Sequence, residues 1–214
     1  MSRYAASGDD GFTLTEMMIV TVLMGIVMSA AYLLLNSTTG MANQLEAQTI
    51  ARDEGRLVMN RLSNELRQAY QISDTQMAFD EAAPRICTFF TDVDRDGIPE
   101  KVRYRVVGDK IYRAEVSAAS TLPPYTFPAL STVSEQPIIG VVESSWAGSL
   151  FSFYDNEYPK NKLGVGSNPL TESELAEIAA VDIRLVNKVV IGNKTATSDV
   201  GTFVKVRAIQ NEID

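Results

Sequence analysis

Histidine is absent from these 214 residues. That excludes histidine-based triads, histidine general bases and histidine metal sites. A single cysteine, Cys87, cannot form an intrachain disulfide, so an exported domain must be held by its core or by a metal. With no imidazole to activate it, Cys87 reads as a small buried hydrophobe. Positive charge is scarce as well: 19 Lys and Arg stand against 27 Asp and Glu, for a formal charge of −8. No direct nucleic-acid binding is expected from such a chain, because that affinity comes largely from Lys and Arg neutralising phosphates. A Walker loop, a dinucleotide-binding glycine fingerprint and a G-x-S-x-G elbow are all missing, and no enzyme activity is expected.

What the chain does have is one long apolar run. Residues 12–35 contain no proline and one ionisable side chain, Glu16. At about 1.5 Å per residue they can cross a bilayer core of about 30 Å. A carboxylate at membrane depth costs roughly 2.5 to 3.5 kcal/mol on the insertion scale, so Glu16 calls for a partner. The preceding segment, MSRYAASGDDG, is polar and too short for a secretory signal, whose apolar core precedes its cleavage site. A cut after Gly11 would leave the apolar segment on the mature chain and give Phe12 a free amine one helical turn from Glu16. That amine is the missing counter-charge, on the same chain or on a parallel neighbour.

Gly11 followed by Phe12-Thr13-Leu14-Thr15-Glu16 resembles the cleavage and N-methylation motif of type IV prepilins and type II secretion pseudopilins. The resemblance implies a prepilin peptidase cutting between Gly11 and Phe12, methylation of the Phe12 amine, and Glu16 as the assembly carboxylate. It departs from the usual leader in carrying Asp9 and Asp10 beside the cut and only Arg3 as a fixed cation. Acidic residues influence topology little, and an N-in orientation is expected. Cleavage takes Arg3, Asp9 and Asp10 together and brings the formal charge to −7.

Beyond Leu35, Asn36-Ser37-Thr38-Thr39-Gly40 is a polar exit from the membrane. Met41, Leu45, Ile50, Leu57 or Val58, Leu62, Leu66 and Ala69 then recur mostly at helical spacing among charged residues. The pattern predicts a nearly continuous helix from about Phe12 to about Ser73, with Gly25, Gly40 and Gly55 as points of bending or melting. A break near Gly40, giving two helices, is the alternative. From Arg85 the period becomes that of strands: Ile86 to Phe90, Val102 to Val107, Ile111 to Val116, Ile138 to Val142, Leu150 to Tyr154, Val181 to Val190 and Phe203 to Ile209. Gly108-Asp109 predicts a hairpin, Thr171-Glu172-Ser173-Glu174 a capping box opening a helix to about Ala180, and Pro123-Pro124 with Pro128 a loop. The fold class expected is α+β, a long N-terminal transmembrane and amphipathic helix packed on a C-terminal antiparallel β-sheet head. Its parts are a leader 1–11, a membrane segment 12–35, an amphipathic continuation 36–74 and a head 75–214. This order of parts is most similar to the J-type minor pseudopilins and the PilW-like minor pilins.

Asp92-Val93-Asp94-Arg95-Asp96-Gly97-Ile98-Pro99-Glu100 is a candidate calcium loop between two strands. Alternating carboxylates with a following glycine bring hard oxygens around one point, at about 2.3 to 2.6 Å from an ion. Asp92, Asp94, Asp96 and Glu100 are the expected ligands of a structural Ca²⁺; the other reading is a solvated acidic turn. Asn193-Lys194-Thr195 fits a glycosylation sequon, a short match that recurs by chance. Trp146, near Phe151, Phe153 and Tyr154, reads as core sooner than as a partner surface. The function expected is a minor pilin or pseudopilin of the cytoplasmic membrane. Its partners are prepilin peptidase and other pilin subunits, and its head lies outside the cytoplasm in a pilus or secretion filament. The competing class is a single-pass surface binding protein or adhesin that never enters a filament.

Overall fold

The computed structural model describes residues 11–73, 76–132, 134–139, 149–156, 161–164 and 169–206. Helix α1, Leu14–Arg67, is one unbroken α-helix of 54 residues, on the order of 80 Å long. It passes through Gly25, Gly40 and Gly55 without interruption, so the single-helix reading holds and the break at Gly40 does not. It ends earlier than Ser73 for a tertiary reason. Tyr70 N–H donates to Phe90 O of the second strand at 3.1 Å, which takes that group away from the helical ladder.

Eight strands follow among the described residues: β1 Phe79–Ala83, β2 Ile86–Thr91, β3 Glu100–Val107, β4 Lys110–Ser117, β5 Gln136–Ile139, β6 Phe151–Tyr154, β7 Ala180–Ile191 and β8 Lys194–Lys205. The first five form one antiparallel sheet in chain order, and β6, β7 and β8 form a second. The arrangement is α+β and pilin-like: a long apolar N-terminal helix, then an antiparallel β head. The Gly108-Asp109 hairpin joins β3 and β4 as expected. The helix opened by the Thr171 capping box, α2, is Glu172–Glu177. It stops short of Ala180 because Ala179 N–H donates to Tyr154 O of β6 at 2.9 Å.

Three strand expectations need correction. β1 had no counterpart in the periodicity. β8 begins at Lys194 instead of Phe203, since its first part, Lys194 to Thr202, is mostly polar and joins the sheet through its ladder with β7. β5 starts two residues before Ile138 and includes Pro137, which an edge strand tolerates. The end of the expected strand at Val142, and Trp146, lie outside the described residues.

The core sits between the upper half of α1 and both sheets. Val58, Leu62 and Leu66 from the helix meet Phe89 and Tyr104 of the first sheet, and Phe151, Ile183 and Leu185 of the second. Lower on α1 the buried stripe is Ala47, Ala51 and Gly55, while Met41, Leu45 and Leu57 are exposed. That differs from the expected stripe of Met41 and Leu45. The cause is the β7–β8 hairpin, which lies so close that a Cβ on Gly55 would stand 3.2 Å from Val200 Cγ2. Only small side chains fit beneath it.

Candidate functional site

At the N-terminus the local chemistry is a reciprocal cap. Thr13 N–H donates to Glu16 Oε2 at 3.0 Å, and Glu16 N–H donates to Thr13 Oγ1 at 3.3 Å. The carboxylate also sits at the positive end of the helix dipole, in its first turn. Gly11 and Phe12 precede this cap, outside α1 and exposed, and among the described residues nothing is near enough to touch a Cβ on Gly11. From Phe12 to Leu35 the large apolar side chains are exposed, and no residue of α1 is buried before Ala47.

The acidic loop joins β2 to β3 across the end of their ladder, where Thr91 pairs with Glu100. One oxygen from each of Asp92, Asp94 and Glu100 lies within 4.8 Å of the others. Three oxygens at about 2.4 Å from one centre cannot be further apart than this, so the set fits a calcium-sized ion. Asp96, expected as a ligand, is outside the group; its Oδ1 accepts from Ile98 N–H at 2.7 Å. The loop is shaped by such bonds: Gly97 N–H donates to Asp92 Oδ2 at 3.1 Å and Asp96 N–H to Asp94 Oδ1 at 3.1 Å. Arg95 and Gly97 both take positive φ, 65° and 85°. Asp92 Oδ1 is buried without a hydrogen-bond partner. Glu100 is buried too, and although Val93 N–H donates to it at 2.7 Å, burial and the charges of Asp94 and Asp92 push its carboxyl above the usual range. Tyr70, facing the same charges, is pushed up to about 12, chiefly by burial and then by Asp92. A cation here would supply the compensation that the protein groups do not.

Sequence reasoning missed a third cluster. Glu65 of α1 accepts from Tyr104 Oη at 2.7 Å and from Arg113 Nε at 3.1 Å with one oxygen, and from Arg61 at 3.0 Å with the other. It ties the helix to β3 and β4 inside the head. Burial opposes the Arg113 charge and Glu65 outweighs it; Tyr104 is pushed upward by burial and by Glu65. Arg61 and Glu65 were visible as an i, i+4 pair, but the partner strands were not. A hollow of about 760 Å³ opens where β1–β3 approach β6, beside Arg85, Arg105 and Lys162.

Residues 7–32 match the family model of the prokaryotic N-terminal methylation motif. The match spans Gly11, the cap and most of the apolar run, and supports a type IV pilin-like precursor. No curated protein matches the chain. An apolar N-terminal helix bearing this motif fits a membrane-anchored protein with a C-terminal head.

Proposed function

We propose that this chain is a minor pilin or pseudopilin, a structural subunit that enters or primes a type IV pilus or type II secretion-like filament. The observation that carries the reading is the methylation motif running without a break into a helix whose first half buries nothing against its own head. Prepilin peptidase cuts between Gly11 and Phe12, and the Phe12 amine is then methylated. The protein waits in the cytoplasmic membrane with its N-terminus inside and its head outside. Parallel apolar helices leave lipid when packing against sister subunits replaces it, so helix burial alone gives little net drive. Pairing of Glu16 with a Phe12 amine supplies selectivity, by replacing two isolated charges at membrane depth. The Asp92, Asp94 and Glu100 cluster holds a structural Ca²⁺ that staples the β2–β3 connection in a head without a disulfide.

The test is intact and N-terminal mass spectrometry of the protein from its native membrane. A mature chain starting at N-methylated Phe12 is expected. A chain retaining its leader, in a host with active prepilin peptidase, would overturn the reading.

A further inference from the structure

The β7–β8 hairpin reaches back along α1 toward the membrane. Lys194 lies beside Gly40, where a Cβ would stand 3.8 Å from its Cε, and Gln44 Nε2 donates to Thr195 O at 3.4 Å. Further up, Val200 faces Gly55. From Gly40 to Gly55 is about 22 Å of helix at 1.5 Å per residue, and from Lys194 to Val200 is about 20 Å of strand at 3.3 Å. The two rises agree, so β8 follows the helix lengthwise, and among the described residues its turn marks the head's lowest level on α1.

That level is the membrane surface. Leu35 ends the apolar run, and Gly40 lies about 7 to 8 Å beyond it, which is the depth of the polar headgroup layer. Lys194, Asn36, Ser37, Gly40, Met41 and Gln44 line an open hollow of about 330 Å³ there. The charge is equally specific. In a chain of −8, residues 36–45 carry no charge, and residues 185–198 carry Lys188 and Lys194 with no acid. Across the turn Lys194 pairs with Ile191, on the face of the hairpin that is turned toward α1.

We propose that this turn is a docking surface for anionic phospholipid headgroups of the leaflet from which the head emerges. Lys194 supplies the cation and Asn36, Ser37 and Gln44 the polar partners; the contact fixes the head's depth and rotation about α1 before assembly. It rests on the reading that residues 12–35 span the bilayer.

The experiment uses the full-length chain carrying Asn193→Cys with a fluorophore, Cys87 being wholly buried and therefore protected from label. The chain is reconstituted into vesicles of phosphatidylcholine, or of phosphatidylcholine with an equal amount of phosphatidylglycerol, each holding a headgroup-borne quencher. The docked-to-undocked ratio, read as quenching, is expected to be about fivefold higher in the anionic vesicles, as for one Lys near such a surface. Lys194→Glu removes the difference, Lys194→Arg keeps it, and added salt erodes it. Equal quenching in both vesicles, an unaltered Lys194→Glu variant, or crosslinking of position 193 to a second copy overturns the docking while the chain still floats with neutral vesicles. Failure to float with them overturns the membrane-spanning reading itself and the docking with it.

Discussion

Glu16 has partners in the Thr13 amide and hydroxyl, so the carboxylate completes the capping box of its own helix. Glu16→Ala is expected to remove the N3 half of the capping box and loosen the first turn, while cleavage and membrane insertion continue. Comparing sheared filaments with membrane fractions checks it: the variant should accumulate in the membrane, and normal incorporation would remove the ion-pair mechanism. Gly11→Leu separates processing from folding, because no described residue lies within 4 Å of a Cβ on Gly11 and the head does not feel the new side chain. Its expected outcome is an uncut precursor of unchanged head stability, read by mass spectrometry and thermal melting. Glu100 makes the opposite kind of prediction. Its raised carboxyl value means that, without metal, ionisation at neutral pH works against the fold. Glu100→Gln should therefore melt higher than the parent in chelator at pH 7, and should no longer respond to calcium.

Among the elements, the α1–β8 contact is the most sensitive to side-chain size. Gly55→Leu is expected to cost about 1 to 3 kcal/mol by overpacking against Val200, and pairing it with Val200→Ala should recover part of the loss. Thermal melting of the detergent-solubilised chain reads both. This contact also shows how far elements were legible. Val102 to Val107 announce β3 by strict alternation, and Thr171 with Glu174 announces α2 by a local bond, because each signal lies within the element. β1 is only Phe-Asp-Glu-Ala-Ala and carries no such alternation. The polar half of β8 is a strand because β7 offers it twelve residues of ladder, and Gly55 is a packing residue because that strand arrives. The acidic loop was readable as a cluster, yet Asp96 turns toward Ile98 through a bond set by the loop's own backbone. The Glu65, Tyr104 and Arg113 cluster joins residues far apart in the chain, and only the fold brings them together.

For the whole molecule, two carboxylates shape the response to acid in opposite ways. Burial raises Glu135, but hydrogen bonds from Arg105 and Arg103 outweigh it and hold its carboxyl below the ordinary range. Its contribution is present above the unfolded value and is lost as pH falls through the lowered one. Glu100 contributes with the other sign: metal-free stability from it rises as pH falls from its raised value toward the ordinary one. Melting curves in chelator against pH should thus lose their upper inflection in Glu100→Gln and their lower one in Glu135→Gln. Calcium at a hundredfold excess over Kd should add about 2.7 kcal/mol, and an unchanged melting curve would remove the metal.

The lengthwise run of β8 along α1 has a mechanical consequence. A subunit in a filament is loaded along its helix, and force passes to the head through whatever grips that helix. Because strand and helix lie side by side over about 20 Å, with Glu65 clamped to two further strands above, axial tension is met in shear across many contacts at once. A head attached crosswise would be peeled off one contact at a time; this one must yield along its whole length together.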